Sequence, residues 1–211
     1  MRILSIDPGI RNLAYCVLET TGPNPTDVRI LDWSVGDICA DVKGKPTFYE
    51  VSKSLIAMLH DTFGGEEYDH VLIENVPSLC NPILKSVAMI IYSFFEIQAH
   101  QLGTTIAVRM VSATNKLKVK QVPRAELEAA IKERTSNKYR QRKLLSIEYT
   151  RHYLKHVLLD EAQLAVFDAD KKRDDKADTL LQAMHALEVG DVVSTAWSQP
   201  PTAPIQAPPA M

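Results

Sequence analysis

The sequence is short of the residues that mark a secreted or membrane protein. Its three cysteines, Cys16, Cys39 and Cys80, are widely separated and odd in number, so they spell out neither a disulfide framework nor a zinc site. Burial as small apolar side chains in a reduced compartment is expected. No stretch approaches the roughly 20 apolar residues of a bilayer-spanning helix. The first strand-like run starts at Arg2, which leaves no room for a signal peptide or an amphipathic presequence. A soluble, intracellular protein without a membrane partner is the expectation. Glycine is also scarce: eight scattered residues form no phosphate-cradling loop, which argues against an actin-like phosphotransferase. No small-molecule cofactor is expected.

What is present suits one globular domain. The chain has 211 residues, 45% hydrophobic and 24% charged, enough for a well-filled core. Residues 1–192 read as that domain. Residues 193–211 carry Pro200, Pro201, Pro204, Pro208 and Pro209 with little that could build a core, and read as a disordered tail.

Periodicity predicts three short strands over 2–6, 13–19 and 28–33, joined by Gly-, Pro-, Asn- and Thr-rich turns as an antiparallel meander. Phe48, Val51, Leu55, Ile56 and Leu59 recur at helical spacing within 47–63, and a strand follows over 70–73. Asn81-Pro82 reads as an N-cap with proline at the first helical position; the segment 83–102 behind it is apolar on nearly every side and is expected to be the central buried helix. A fifth strand over 105–111 and helices over 123–134, 139–159 and 175–189 complete the reading. The order of elements predicts an α/β fold, a five-stranded mixed sheet flanked by helices.

Acidic residues stand at telling points of this scheme. Asp7 closes the first strand, Glu74 follows the apolar Val71-Leu72-Ile73, and Asp175 and Asp178 share one face at the start of the last helix. Each alone has a bland explanation, as a turn residue or a helix cap. Together they point to divalent metal and to phosphodiester hydrolysis, in which two Mg²⁺ ions about 4 Å apart offset charge on the attacking and leaving oxygens. In this scheme Asp7 bridges both ions, Glu74 binds one, and Asp175 and Asp178 bind the other. Asp174 is a rival to Asp175, whereas Asp168 and Asp170 are expected in the preceding loop.

Charge is unevenly distributed. The whole chain has a formal net charge of -2, yet residues 109–155 hold thirteen Lys and Arg against four Glu. Such asymmetry fits a surface that faces a polyanion. Lys116, Lys118 and Lys120 alternate, and on an extended segment they would project from one side along a phosphate backbone. Arg140 and Lys143 belong to the same basic region and are further candidates for DNA contact. A solvated helix face is the competing explanation, most of all for 124–134, where Glu126, Glu128 and Glu133 intermix.

Three segments carry a family likeness: Ile6-Asp7-Pro8-Gly9-Ile10-Arg11-Asn12-Leu13-Ala14-Tyr15, Ile73-Glu74-Asn75, and Asp174-Asp175-Lys176-Ala177-Asp178-Thr179-Leu180-Leu181. They resemble the three acidic motifs of RuvC-like Holliday junction resolvases, in the branch of the poxvirus, large-DNA-virus and fungal mitochondrial enzymes. The segment from Asn81-Pro82 to Phe94-Phe95 is similar to the helix after the second motif. One departure is visible: Val76-Pro77-Ser78 stands where relatives often carry a polar residue two places after the glutamate. The resemblance implies an RNase-H-like fold, a homodimer, and Mg²⁺-dependent paired nicking of four-way DNA, with Mn²⁺ as a substitute. It makes Asp7, Glu74, Asp175 and Asp178 the catalytic metal ligands and one of Lys116, Lys118 and Lys120 a phosphate-facing lysine. Rival expectations are an RNase-H-like nuclease for other branched DNA or RNA–DNA hybrid, and a non-catalytic junction or RNA binder of the same fold.

Overall fold

A meander opens the fold. In the computed structural model, which describes residues 1–22, 24–77 and 81–192, strands β1 (Arg2–Asp7), β2 (Leu13–Thr20) and β3 (Val28–Gly36) pair antiparallel in sequence order. Strands β4 (His70–Glu74) and β5 (Ala107–Val111) then add in parallel on the other side of β1, giving one mixed sheet of order β3-β2-β1-β4-β5. The β1–β2 turn needs its glycine: a Cβ on Gly9 would stand 2.2 Å from the Asn12 carbonyl oxygen.

Side-chain alternation gives the sheet two apolar faces. Leu4, Ile6, Val71 and Ile73 face helices α1 (Phe48–Phe63) and α2 (Pro82–Leu102), while Ile3, Cys16, Leu18 and Leu72 face the opposite layer. That layer contains α4 (Lys138–His152), a π turn over Tyr153–Val157, α5 (Glu161–Ala169) and α6 (Arg173–Glu188). A short helix, α3 (Arg124–Arg134), precedes α4. The α1 cap is reciprocal, with Thr47 accepting from the Glu50 amide and Glu50 from the Thr47 amide. Asn81 caps α2, and Gly103, at φ 65°, ends it in the left-handed region.

Four sequence expectations are corrected. The central buried helix is α6, not the 83–102 segment. Helix α6 buries eleven residues, Lys176, Ala177 and the run Thr179 to Leu187, between the sheet and α4–α5. Helix α2 buries only a stripe of Val87, Ala88, Ile91, Phe95, Gln98 and Ala99, leaving Met89 and Ile97 44% and 56% exposed. Composition misleads because α6 opens on Arg173, Asp174 and Asp175, whereas α2 has an apolar side that the sheet never covers. By length and composition alone α2 also meets the requirements of a membrane span, against the expectation that no stretch would; its buried stripe packs on β4 and β5. The region before α6 contains a helix the periodicity did not reveal, so that Asp168 lies on α5 and only Asp170 is in the loop. Finally, residues 115–118 form a 3-10 turn, not an extended segment, and the alternation of Lys116, Lys118 and Lys120 has no common side to act on.

Cys16 and Cys39 are buried free thiols, as expected; Cys80 and the tail 193–211 lie outside the described residues.

Candidate active site

Alternation and register together decide where two of the carboxylates go. Ser5 and Leu72 are register partners in the parallel β1–β4 pair, and so are Ile6 and Ile73. Asp7 and Glu74 therefore end adjacent strands at the same level, on the face that carries Ile3 and Leu72 and receives α6. Asp178, in the second turn of α6, meets them there. One oxygen from each of Asp7, Glu74 and Asp178 lies within 4.8 Å of the others.

Directional bonds fix the start of α6 over the sheet. The Trp33 indole donates from Nε1 to the Lys176 carbonyl at 3.1 Å and to Thr179 Oγ1 at 3.2 Å. The Lys176 ammonium, itself buried, pairs with Asp170 at 2.9 Å and lies 5.5 Å from the Trp33 ring centre. Beyond Glu74, the Asn75 amide donates to the Val111 carbonyl at 2.8 Å, carrying the β4–β5 pairing past the acidic residue.

The 3-10 turn after β5 brings Lys116 into the acidic group. Its Nζ donates to Glu74 Oε2 at 2.7 Å and to Asp178 Oδ2 at 2.5 Å. Burial alone would lower the pKa of this ammonium, but Asp178, Glu74 and Asp7 more than offset it and hold Lys116 above its ordinary range. One cation still leaves the acids under-compensated. Burial, then the charge of Glu74, pushes Asp7 well above the usual carboxylate range despite Lys116. Asp178 rises from 3.8 to about 6, chiefly through burial that Lys116 only partly counters. Converging hard oxygens, two of them on carboxylates, Asp7 and Asp178, that bind protons too readily, form a donor set suited to a small divalent cation.

The other acids separate clearly. Asp174 forms an ion pair with Lys143, which outweighs its burial and holds it below the usual range. Asp175 lines the same cleft as Asp7 and Asp178 but stands outside their 4.8 Å group; burial, then Asp174, raises its pKa. The cleft is about 500 Å³ and its mouth is formed by Tyr139, Arg142 and Lys143 of α4.

Of the basic residues singled out by sequence, Lys116 and Lys143 reach this cleft. Lys118 donates to its neighbour Asn115 at 3.0 Å, and the Lys120 amide and ammonium bond Glu188 at 2.6 and 3.1 Å, at the far end of α6. Arg140 is exposed on α4 without lining the cleft. Sequence reasoning passed over Tyr139 and Arg142 as site residues, although both lie one turn or less from Lys143 on the same helix. It also passed over Gln182, one turn beyond Asp178, whose amide Nε2 donates to Ser5 Oγ at 3.0 Å and to the Leu72 carbonyl at 3.1 Å.

Comparison with known proteins bears on the fold and the family. A fowlpox virus resolvase, solved with Holliday junction DNA, superposes with a TM-score of 0.58 at 17% identity, covering 90% of this chain and 98% of that one. The yeast mitochondrial Holliday junction resolvase Ydc2 gives a TM-score of 0.57 at 17% identity, covering 88% and 78%. The chain has the RNase-H-like fold of these RuvC-like proteins. The uncharacterized protein L451 of Acanthamoeba polyphaga mimivirus is 34% identical over 125 residues, which are 57% of this chain and only 29% of that larger relative. The family model described as Poxvirus A22 protein matches residues 1–189, which take in the sheet and helices α1 to α6, and the chain belongs to that family.

Proposed function

We infer that the protein is a Holliday junction resolvase, an endodeoxyribonuclease that makes paired nicks in four-way DNA by divalent-metal-assisted hydrolysis. The observation that carries this reading is the convergence of Asp7, Glu74 and Asp178 beside Lys116, in a family and fold shared with resolvases. A bound divalent ion supplies Lewis acidity at the phosphate and a water of lowered pKa. An all-carboxylate donor set favours Mg²⁺, with Mn²⁺ as a substitute.

Asp7, Glu74 and Asp178 would hold the first ion, and Asp175, in the neighbouring turn, would serve a second. Lys116 partly offsets the charge of Glu74 and Asp178, and with a cation in place its ammonium would be available to a phosphate oxygen. Arg142 and Lys143 guide the backbone into the cleft, and Arg140 extends that basic surface along α4. Cutting two opposed strands calls for two sites related by a twofold axis, so the protein acts as a homodimer. The uncovered side of α2, where Met89, Phe94 and Ile97 line a shallow groove with Ile56 of α1, is the proposed interface. Such junctions arise where DNA recombines or replicates, inside the cell.

The test is incubation with a labelled immobile four-way junction and with matched linear duplex, in Mg²⁺ or EDTA, resolved on native and denaturing gels. Symmetric Mg²⁺-dependent nicks in the junction alone are expected. Binding without nicks would make the protein a non-catalytic junction binder, and equal cutting of linear duplex a general nuclease.

A further inference from the structure

We propose that Gln182 is a positioning residue that sets the distance between the helix-borne and strand-borne carboxylates and thereby the affinity of the site for a divalent cation. This rests on the reading that Asp7, Glu74 and Asp178 hold such a cation. Gln182 is 4% exposed, in the middle of α6 and one turn beyond Asp178 on the same face. Its Nε2 donates to Ser5 Oγ and to the Leu72 carbonyl, and lies 3.5 Å from the Ile6 carbonyl.

Those partners matter because of where they stand. Ser5 and Leu72 are register partners, and each lies two residues before a carboxylate, Asp7 on β1 and Glu74 on β4. One amide thus ties together, one level beneath the site, the three elements that bring the carboxylates together. Apolar contacts around it hold α6 against the sheet but tolerate sliding along the helix axis. Hydrogen bonds of about 3 Å are directional and do not. A neutral amide also performs this task without adding charge to a crowded acidic group, which a buried glutamate or lysine at the same point would do.

The alternative is that Gln182 merely satisfies Ser5 in the core. A purely structural role lowers stability and leaves the affinity of the folded protein for cation unchanged. The experiment is Mn²⁺ titration without DNA, following the free Mn²⁺ signal by electron paramagnetic resonance, with melting temperature measured in parallel. Gln182→Met keeps the side-chain length and removes both bonds; an affinity loss of about tenfold is expected, the lower range for partners one layer behind metal ligands. Ser5→Ala removes one bond and should give a smaller loss in the same direction. Leu187→Ala, in the buried stretch of the same helix without such bonds, should lower the melting temperature and leave the affinity unchanged.

Wild-type affinity in folded Gln182→Met, with a melting loss like that of Leu187→Ala, overturns the proposal. Should Gln182→Met fail to fold, Ser5→Ala decides by the same criterion. If Asp7→Asn binds Mn²⁺ as tightly as wild type, the metal-site reading itself falls and the role of Gln182 falls with it.

Discussion

The two faces of the central sheet are held by different chemistry. Toward α1 and α2 the contacts with the sheet are apolar and aromatic: Phe63, Tyr68, Phe94 and Phe95 interlock with ring centres 5.2 to 6.3 Å apart, and the buried Gln98 amide donates to the Phe63 and Glu66 carbonyls, neither of them on a strand. Toward α6 the apolar layer is threaded by directional bonds, from Trp33 to Lys176 and Thr179 and from Gln182 to Ser5 and Leu72. Apolar packing contributes much stability and little positional selectivity; hydrogen bonds contribute less stability and fix register. The acidic group is assembled on the second face, where three elements must be held to a fraction of an ångström.

The comparison breaks most severely at the carboxylates. Asp7→Asn and Glu74→Gln should each abolish junction nicking while junction binding persists, read from cleavage gels beside a binding titration; normal turnover by Asp7→Asn would sink the mechanism. On the opposite face, Phe95→Ala should cost about 3–5 kcal/mol in denaturant unfolding. The surviving folded protein should bind Mn²⁺ as wild type does, and a large affinity loss there would erase the division of labour between the faces.

A subtler separation comes from pH. The folded-state pKa of Asp178 is raised from 3.8 to about 6, so the folded state retains a proton that the unfolded state has lost across that interval. Metal-free protein should therefore melt at lower temperature as pH rises from about 4 to about 6, with the affinity for divalent cation rising over the same range. Phe95→Ala should keep this profile, whereas Asp178→Asn should make it shallower, the remainder coming from Asp7 and Asp175, which are raised in the same direction. The smallest expected effect is at the cleft mouth: Arg142→Ala should reduce the slope of junction affinity against salt by about 1, the change for one lost phosphate contact. Lys118→Ala, turned toward Asn115, should change it less, and the reverse ranking would return Lys118 to the DNA path.

Much of this arrangement was legible in the chain itself. Asp7 and Glu74 could be located because each ends an apolar run whose alternation already decides which face it takes. Spacing paired Asp175 with Asp178, of which Asp178 joins the converging group and Asp175 only lines the cleft, and the strands were recognisable within a residue or a few. The role of α6 was not legible, since its burial is conferred by neighbours on two sides and not by its own composition. Lys116 was named together with Lys118 and Lys120, but the common side expected of the three is absent, because a 3-10 turn and an extended strand look alike over four residues of alternating lysine. Gln182 left no trace in sequence: a buried glutamine is visible only once its acceptors on β1 and β4 are known.

The site takes one carboxylate from the first strand, one from the fourth and one from the last helix. No fragment of the chain made during synthesis holds more than part of it before α6 docks, and contacts between such distant segments are the slowest to form. A cation held only by the native arrangement, as proposed, would then act as a latch on completed folding, adding stability that grows with the logarithm of its concentration. The proposed nuclease activity would then be absent from an unfinished polypeptide, because the site that carries it exists only when the topology is closed.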